Sequence, residues 1–391
     1  MNRLLYHKSP KELEQIIKRS VIGQDAGVRI IATALSAHIT RIIRNKYSRN
    51  RGPVIHKDNL LILGPTGCGK TESIRTVIRE LQLPIPIAVI SANGLSSSGY
   101  KGRNLDTVLE DLYRDAKRIF LNNPGAYVDK NEINDNKITT AQMDKSVLEL
   151  TNTGIIVFDE FDKIACRGEN VNADSYKRLL QSEMLKLVEG GKGFGEKEIL
   201  QEIDTTEILF IFSGAFTDLL SPPAEQIPIG FHQLSPQQKE VDNSHIPTTQ
   251  ELVKYGFMQE LIGRIPLKCC YRALSVGALY KILAKSNISP VQDFQALFQE
   301  TGNSLKIENS ALKAIARQAF EIGTGARGLR TIMGEFLYPL LYKVDGVIEG
   351  KEITITKAVV NNGDKPKIDP RREPIEDINI ETKNIDFMQF L

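Results

Sequence analysis

The sequence has few cysteines, and no spacing that would join them into a metal site or a disulfide framework. Its 391 residues include four cysteines, none of them in a C-x-x-C pair, and five histidines without ligand spacing. Zinc sites and disulfide-stapled domains depend on such spacings. We therefore expect reduced thiols and no zinc site.

The chain also lacks long hydrophobic runs and an excess of either charge. Its longest apolar stretches, such as Asn59–Leu63 and Gly154–Phe158, are far shorter than the ~18 residues that a membrane-spanning helix needs. Charge appears at Arg3, before a signal-peptide core can form. The net charge of +2 gives no general reason to expect binding to nucleic acid or to an anionic membrane. We expect a cytoplasmic protein without a membrane span.

What is present is the pattern of an α/β protein. Hydrophobic residues make up 41% and charged residues 25% of the chain, as in ordinary globular domains. Continuous apolar runs of strand length occur at Asn59–Leu63, Gly154–Phe158 and Glu207–Phe212, and helical periodicity separates them. Such runs are typical of parallel strands buried on both faces. The sequence therefore predicts a parallel sheet flanked by helices.

The character of the chain changes after residue 268. Helical patterns cover Ala311–Phe320 and Gly328–Val344, and Lys351–Thr356 alternates like a half-exposed strand. These features predict a second, smaller, mainly helical α+β domain. We divide the chain into a large domain at residues 1–268, a small domain at residues 269–360 and a flexible tail at residues 361–391. The large domain carries two polar inserts, at about 122–145 and 221–249.

A phosphate-binding loop follows the first apolar run. Gly64–Thr71 matches G-x-x-x-x-G-K-[ST] and stands between a predicted strand and a predicted helix, which is the context that the motif requires. Glycines let successive backbone N–H groups surround phosphates, Lys70 reaches the β- and γ-phosphates, and Thr71 can ligate Mg²⁺. The predicted nucleotide ligands in this loop are Gly64, Pro65, Thr66, Gly67, Cys68, Gly69, Lys70 and Thr71.

Polar residues end the next two apolar runs. Asp159 would hold Mg²⁺ through water, and Glu160 would orient and deprotonate the attacking water, because phosphoryl transfer needs mainly positioning and charge neutralisation. The alternative for this pair is a solvated acidic strand end. Ser213 ends the third run, where it would sense or position the γ-phosphate; a simple Ser-Gly turn is the alternative.

Taken in order, these motifs resemble those of the AAA+ unfoldases of the ClpX/HslU group, from about Ser9 to about Thr356. The resemblance implies a AAA+ P-loop large domain followed by a small lid domain, ATP and Mg²⁺ as cofactors, a homohexameric ring and unfolded or tagged proteins as substrates. The sequence shows no counterpart of the zinc domain with which ClpX proteins usually begin. The matching segments are Val21–Asp25, Gly64–Thr71, Phe158–Lys163, Leu209–Phe216, Glu260–Pro266 and Gly323–Arg330.

The resemblance also implies roles for individual residues. Val21 and Ile22 correspond to the adenine side of the nucleotide site. Arg264 corresponds to the arginine finger that reaches a neighbouring subunit's ATP, and Arg327 to the sensor-2 arginine that couples the lid to the nucleotide. A guanidinium suits both roles because it stays charged and donates in a fixed fork. The implied catalytic set is Lys70, Glu160, Arg264 and Arg327.

Two further segments correspond to loops that handle proteins in this group. Gly99, Tyr100, Lys101 and Gly102 stand where the family has a Gly-Tyr-Val-Gly pore loop that grips substrate, and an ordinary turn is the alternative. Lys101 departs from that pattern and would bias the pore toward acidic segments. Ile229, Gly230 and Phe231 match the tripeptide with which ClpX proteins dock on the ClpP peptidase ring; a local hydrophobic contact is the alternative. The apolar end Phe387–Leu391 is a rival signal, since HslU proteins dock through such an end.

The resulting hypothesis is an ATP-dependent protein unfoldase that threads polypeptides through its ring as the ATPase subunit of a Clp-type protease. One alternative is a remodeller that acts without a peptidase, and another is a nucleotide-gated assembly scaffold. A DNA-associated ATPase rests only on the basic run Arg41–Arg51, for which a solvated face or a subunit contact is favoured. Cys68 is either an oxidation-sensitive thiolate or, as we favour, a passive small residue.

Overall fold

A computed structural model describes residues 8–47, 53–81, 85–95, 104–128, 138–168, 171–193, 202–220, 246–344 and 350–370. The predicted pore loop Gly99–Gly102, the predicted docking tripeptide Ile229–Phe231 and the C-terminal residues 371–391 lie outside these ranges.

A five-stranded sheet forms the centre of the large domain. Its strand order is β2-β3-β6-β1-β7, and every neighbouring pair is parallel. The parallel sheet and the α/β fold class predicted from the apolar runs are thus confirmed. A short antiparallel pair, β4 with β5, lies apart from this sheet. The strands are β1 Leu60–Leu63, β2 Ile87–Ser91, β3 Ile155–Asp159, β4 Lys192–Gly193, β5 Ile203–Asp204, β6 Leu209–Gly214 and β7 Leu267–Cys270.

Helices cover both faces of the sheet, which is why its central strands consist mainly of apolar residues. In β1, Leu60 and Ile62 belong to one buried cluster, while Leu61 and Leu63 belong to the cluster on the opposite face. This alternation follows from the period of two in a strand. The helices of the large domain are α1 Pro10–Lys18, α2 Asp25–Ile42, α3 Lys70–Leu81, α4 Leu105–Asn122, α5 Thr140–Thr151, α6 Val171–Glu189, α7 Thr217–Leu220, α8 Thr249–Tyr255 and α9 Gln259–Gly263.

One of the predicted polar inserts is shorter than expected. Helix α5 begins at Thr140, inside the predicted insert 122–145, so that prediction is wrong for residues 140–145. A capping box explains the start of the helix: the Thr139 hydroxyl accepts a hydrogen bond from the Gln142 N–H, and the Gln142 side chain accepts one from the Thr139 N–H. The polar composition of this stretch is therefore in part a helix start.

The small domain combines helices with a second sheet of order β10-β9-β8. Strand β9 pairs in parallel with β8 and antiparallel with β10. The prediction of a flexible tail from residue 361 is wrong for this last strand, because residues 367–370 pair with β9 through their backbone. The elements are α10 Val276–Lys285, α11 Pro290–Glu300, β8 Ser304–Ile307, α12 Asn309–Ile322, α13 Ala326–Val344, β9 Lys351–Ile355, α14 Lys357–Asn362 and β10 Lys367–Pro370.

The predicted boundary between the domains, after residue 268, falls inside β7. This strand pairs with β1, with Leu63 opposite Cys270, so the large sheet extends to Cys270. Tyr271 follows it, and its N–H donates to the Leu63 carbonyl at 2.7 Å. The small domain therefore begins later than the change in sequence pattern indicates.

Helix α2 is more apolar than the other long helices that the structure describes in the large domain. Residues Asp25–Asn45 are long and apolar enough for a membrane span, yet the structure packs most of this segment inside the fold. Even Arg41 is buried there: its Nε lies 3.0 Å from Oε2 of Glu207, and its Nη2 donates to the Glu207 carbonyl at 2.6 Å. The prediction that the basic run Arg41–Arg51 is a solvated face or a subunit contact is wrong for Arg41.

Candidate functional site

The phosphate-binding loop connects β1 to α3, which begins at Lys70. Its glycines at 64, 67 and 69 all have positive φ angles, of 145°, 75° and 98°, a conformation that favours glycine. Lys70 is 8% exposed, and its ammonium donates to the carbonyls of Gly64 at 2.6 Å and Pro65 at 2.8 Å. The chain thus holds the lysine charge against the loop that would wrap the phosphates.

Asp159, at the end of β3, brings together three predicted site residues from three elements. Its Oδ2 accepts a hydrogen bond from the Thr71 hydroxyl at 3.0 Å, and its Oδ1 accepts one from the Ser213 hydroxyl at 3.1 Å. The carboxyl ends of parallel strands meet at one edge of a sheet, and this edge is where α/β folds bind ligands. A hydroxyl and a carboxylate oxygen are hard donors of the kind that Mg²⁺ prefers, so the residues fit the predicted metal.

Glu160 directly follows Asp159, the last residue of β3. Its backbone is left-handed, with φ 56° and ψ 33°, and its side chain is exposed. Oε2 of Glu160 accepts a hydrogen bond of 2.6 Å from the hydroxyl of Ser91, the last residue of β2. Ser91 is not among the predicted site residues, although it ends an apolar run just as Ser213 does.

The lid domain contacts the phosphate-binding loop directly. The Ala326 N–H donates to the Gly67 carbonyl at 2.9 Å, at the start of α13. The approach is close: a Cβ on Gly67 would lie 2.4 Å from the Thr324 carbonyl oxygen, and a Cβ on Gly325 would lie 2.8 Å from the Gly67 oxygen. The glycines at both positions therefore permit a contact that a side chain would block.

A cavity of about 1020 Å³ lies between the two domains along this contact. Val21 and Ile22 line it beside the loop, and Arg327 lines it from the first turn of α13. The Asp293–Arg330 ion pair and Tyr338, none of them predicted, line it from the lid. The predicted residues on the cavity wall are Val21, Ile22, Thr66, Gly67, Cys68, Gly69, Lys70, Thr71, Asp159, Glu160 and Arg327.

Cys68 is a buried part of this loop. It is 3% exposed, and burial raises the pKa of its thiol although Lys70 acts in the opposite direction. A protonated, buried thiol is a poor nucleophile. This environment agrees with the passive interpretation of Cys68.

Two residues that were not predicted join elements around the site through hydrogen bonds. Tyr271 is fully buried; its hydroxyl lies 2.5 Å from the Ser73 hydroxyl of α3. Asp162 is 4% exposed, lines the cavity, and accepts a hydrogen bond from the Ala215 N–H at 3.0 Å. Asp162 thereby fixes the segment after β3 to the segment after β6.

Arg264 lies apart from the cavity. It caps α9, and its Nε and Nη2 donate to Oε1 of Glu189 at 3.1 and 2.8 Å. Arg264 is not one of the described residues that line the cavity of this chain. The structure thus brings Lys70, Glu160 and Arg327 to one cavity and places Arg264 elsewhere on the surface.

Comparisons with known proteins agree with this architecture. Residues 56–268 match the model of an AAA domain (Cdc48 subfamily), and residues 274–353 match the C-terminal, D2-small domain of ClpB protein. The ATP-dependent Clp protease ATP-binding subunit ClpX of Treponema denticola is 32% identical over 92% of this chain and 83% of its own length. The chain belongs to the ClpX family of AAA+ ATPases. The resemblance inferred from the motifs is confirmed, and this ClpX-like chain is an ATPase.

Other relatives give the same result over similar lengths. ClpX 2 of Wolinella succinogenes is 31% identical over 93% of this chain and 85% of its own length. ClpX of Borrelia duttonii is 31% identical over 92% of this chain and 80% of its own length. The likeness therefore extends across both domains of the ClpX-like ATPase and beyond its phosphate-binding loop.

Proposed function

We propose that this ClpX-like ATPase is a protein unfoldase that threads polypeptides through a homohexameric ring as the ATP-binding subunit of a Clp-type protease. Relatives that match 92–93% of the chain are named as ATP-binding subunits of the ATP-dependent Clp protease. The observation that carries the proposal is the hydrogen bond between Ala326 of the lid and Gly67 of the phosphate-binding loop. It links nucleotide occupancy to the position of a whole domain.

Different residues of the cavity contact the phosphates, the base and the metal of Mg²⁺-ATP. The loop N–H groups and Lys70 hold the phosphates, and Val21 and Ile22 provide apolar surface for the base. Thr71 and Asp159 would hold Mg²⁺, which supplies positive charge to the phosphate oxygens. Two of the three N–H donors of Lys70 serve loop carbonyls, so at least one of these bonds must be exchanged when the ammonium contacts both the β- and the γ-phosphate.

Hydrolysis needs an oriented water and compensation of the charge on the γ-phosphate. Glu160, held by Ser91, accepts a proton from the attacking water. Ser213, whose hydroxyl donates to Asp159, acts toward the γ-phosphate through that carboxylate, and Arg327 provides a positive charge from the lid. Arg264 supplies a second guanidinium to the ATP of a neighbouring subunit.

Hydrolysis then causes the lid domain to move. When charge leaves the γ-phosphate position, Arg327 loses a partner, and the lid rotates about its contact with the phosphate-binding loop. In the ring, this rotation moves the loops that carry Tyr100 along the central pore. An aromatic ring suits such a loop because it offers large contact area that does not depend on substrate sequence.

We assign docking on the peptidase partner to the tripeptide Ile229-Gly230-Phe231. It is an apolar segment within a polar stretch of sequence, a pattern typical of a segment that docks on another protein. A remodeller without a peptidase has no need of Phe231. An assembly scaffold, in turn, has no need of a water-activating Glu160.

The test uses Glu160→Gln, a variant expected to bind ATP without hydrolysing it, as bait in native lysate. Proteins that sediment with it only in the presence of ATP are identified. The same experiment is carried out with a Glu160→Gln/Phe231→Ala double variant. We expect protein substrates in both samples and a peptidase ring only where Phe231 is intact. Substrates without any peptidase would favour the remodeller, and a peptidase retained by the double variant would favour docking through Phe387–Leu391.

A further inference from the structure

The backbone of Arg264 is fastened to the central sheet by a buried amide. Asn59, which precedes β1, is 2% exposed. Its Nδ2 donates to the Arg264 carbonyl at 2.8 Å, and its Oδ1 accepts from the Phe210 N–H of β6 at 3.1 Å. The Leu267 N–H also donates to the Asn59 carbonyl, at 3.2 Å. The backbone position of Arg264 is therefore set by two strands that also carry the ATP site.

The side chain of Arg264 is fixed separately, from helix α6. This helix ends at Glu189, whose Oε1 accepts both the Nε–H and an Nη2–H of the guanidinium. Helix α6 is itself tied to the segment before α9, because Gln181 accepts from the Met258 N–H at 2.8 Å and donates to the Gly256 carbonyl at 3.2 Å. The end of helix α6, and with it the backbone of Glu189, is therefore held close to Arg264.

The geometry of this pair leaves the other edge of the guanidinium open. A guanidinium has five N–H donors, and the contact with Glu189 uses the edge formed by Nε and Nη2. The edge formed by Nη1 and Nη2 remains available, and the side chain is 58% exposed. Arg264 can therefore contact Glu189 and a phosphate at the same time.

We propose that Glu189 is a positioning residue that, together with Asn59, holds Arg264 ready to contact the γ-phosphate of ATP bound to a second copy of this chain. The inference rests on the proposed function, in which Arg264 acts between subunits. A side chain already held in its working geometry loses less conformational freedom when it meets the phosphate. Glu189 thus supports hydrolysis in the neighbouring subunit and not in its own.

The experiment uses full-length chains in mixed rings. One subunit carries Glu160→Gln, which stops its own hydrolysis but leaves Arg264 intact. The other carries Arg264→Ala, which leaves Glu160 intact. Hydrolysis by the mixture then comes from ATP that is bound by an Arg264→Ala subunit and contacted by Arg264 of a Glu160→Gln neighbour. Glu189→Gln is added to one subunit type at a time, and kcat and KM for ATP are measured.

We expect Glu189→Gln in the Glu160→Gln subunits to lower kcat about threefold at unchanged KM, as suits an exposed ion pair. In the Arg264→Ala subunits it should have no effect, because its partner is already gone. The control is Glu183→Gln, which removes the same charge from the same helix and should leave kcat unchanged. Thermal unfolding of each variant checks that the chains fold alike.

The outcomes separate this inference from the function on which it rests. A mixture without activity contradicts a role for Arg264 between subunits, and thus the proposed arrangement of the ring. An active mixture whose kcat is unchanged by Glu189→Gln in the Glu160→Gln subunits overturns the inference alone. An increase in kcat also overturns it, since Glu189 would then restrain Arg264 instead of presenting it.

Discussion

Ser91 and Glu160 join the ends of two neighbouring strands through a 2.6 Å hydrogen bond from the serine hydroxyl to Oε2 of the carboxylate. The bond uses one carboxylate oxygen and leaves Oε1 to accept a proton. Glu160 is exposed and has a left-handed backbone, so Ser91 is what fixes the direction of its side chain. The proposed water-activating group is thus oriented by a residue that no nucleotide-binding motif contains.

Removing this hydroxyl tests whether orientation matters for hydrolysis. Ser91→Ala should lower kcat about fivefold, which corresponds to the ~1 kcal/mol of a typical hydrogen bond, and leave KM for ATP unchanged. Steady-state ATP hydrolysis measures both quantities. Ser91→Thr, which keeps the hydroxyl, is the control and should retain most of the activity. An unchanged kcat in Ser91→Ala would show that Glu160 does not depend on Ser91.

A second prediction concerns the contact between the lid and the phosphate-binding loop. Gly325→Ala would place a Cβ 2.8 Å from the Gly67 oxygen, so the lid must shift and Arg327 with it. We expect the Kd for ATP, measured by calorimetry, to rise at least about fivefold, as for overpacking of 1–3 kcal/mol.

Gly323→Ala is the matched control for this variant. Gly323 has a φ of +76° and Gly325 a φ of +62°, so both substitutions strain the backbone, but a Cβ on Gly323 meets nothing within 4 Å. Gly323→Ala should therefore cost about 1 kcal/mol of stability without weakening ATP binding. Equal effects of the two substitutions on ATP affinity would mean that backbone strain, and not the contact with Gly67, is responsible.

The sequence predicted those parts of the fold whose signal is local. The runs that became β1, β3 and β6 are apolar because both faces of the sheet are covered, and the glycines around Lys70 mark a backbone that needs positive φ. Strand β10 carries no such signal: its four residues are all exposed, and only backbone pairing with β9 makes them a strand. Its polar composition therefore looked like a tail.

The residues that were missed or misjudged depend on contacts between distant parts of the chain. Arg41 is buried because Glu207, 166 positions later, pairs with it. Asn59 meets Arg264 across 205 positions, and Ser91 meets Glu160 across 69. No periodicity or short motif encodes such pairs. They form only when the folded chain brings these distant segments together.

A third prediction follows from Lys57 at the opposite end of the sheet. Its ammonium donates to the Thr205 carbonyl at 2.8 Å. Burial, together with the charge of Arg41, lowers the pKa of Lys57 from 10.5 to about 7. Between pH 7 and 10.5 the unfolded chain therefore binds a proton that the folded chain does not. The free energy of unfolding should rise with pH in this window, by at most about 1.4 kcal/mol per pH unit.

Comparison with Lys57→Met isolates this contribution from that of other titrating groups. Between pH 7 and 9, wild type should gain stability relative to the variant, as measured by chemical denaturation. Lys186→Met, at an exposed position on α6, is the control and should follow the wild-type pH dependence. Parallel curves for wild type and Lys57→Met would contradict the lowered pKa.

A fourth prediction concerns the thiol in the phosphate-binding loop. Cys68 and Cys269 are buried, and burial raises the pKa of both thiols. We expect iodoacetamide at pH 7.5 to modify the half-buried Cys166 first and to leave Cys68 and Cys269 unmodified in the folded protein, as read by mass spectrometry. Rapid modification of Cys68 with loss of ATPase activity would support the oxidation-sensitive interpretation instead.

In the proposed function, ATP hydrolysis by this chain unfolds other proteins. The most direct measurement takes a protein captured by the Glu160→Gln variant, mixes it with wild-type chain, and follows its hydrogen–deuterium exchange by mass spectrometry. We predict that ATP accelerates exchange throughout the captured protein, and that Tyr100→Ala hydrolyses ATP without this effect. If ATP is hydrolysed while the captured protein keeps its native protection, the chain is not an unfoldase, and the assembly scaffold becomes the better account.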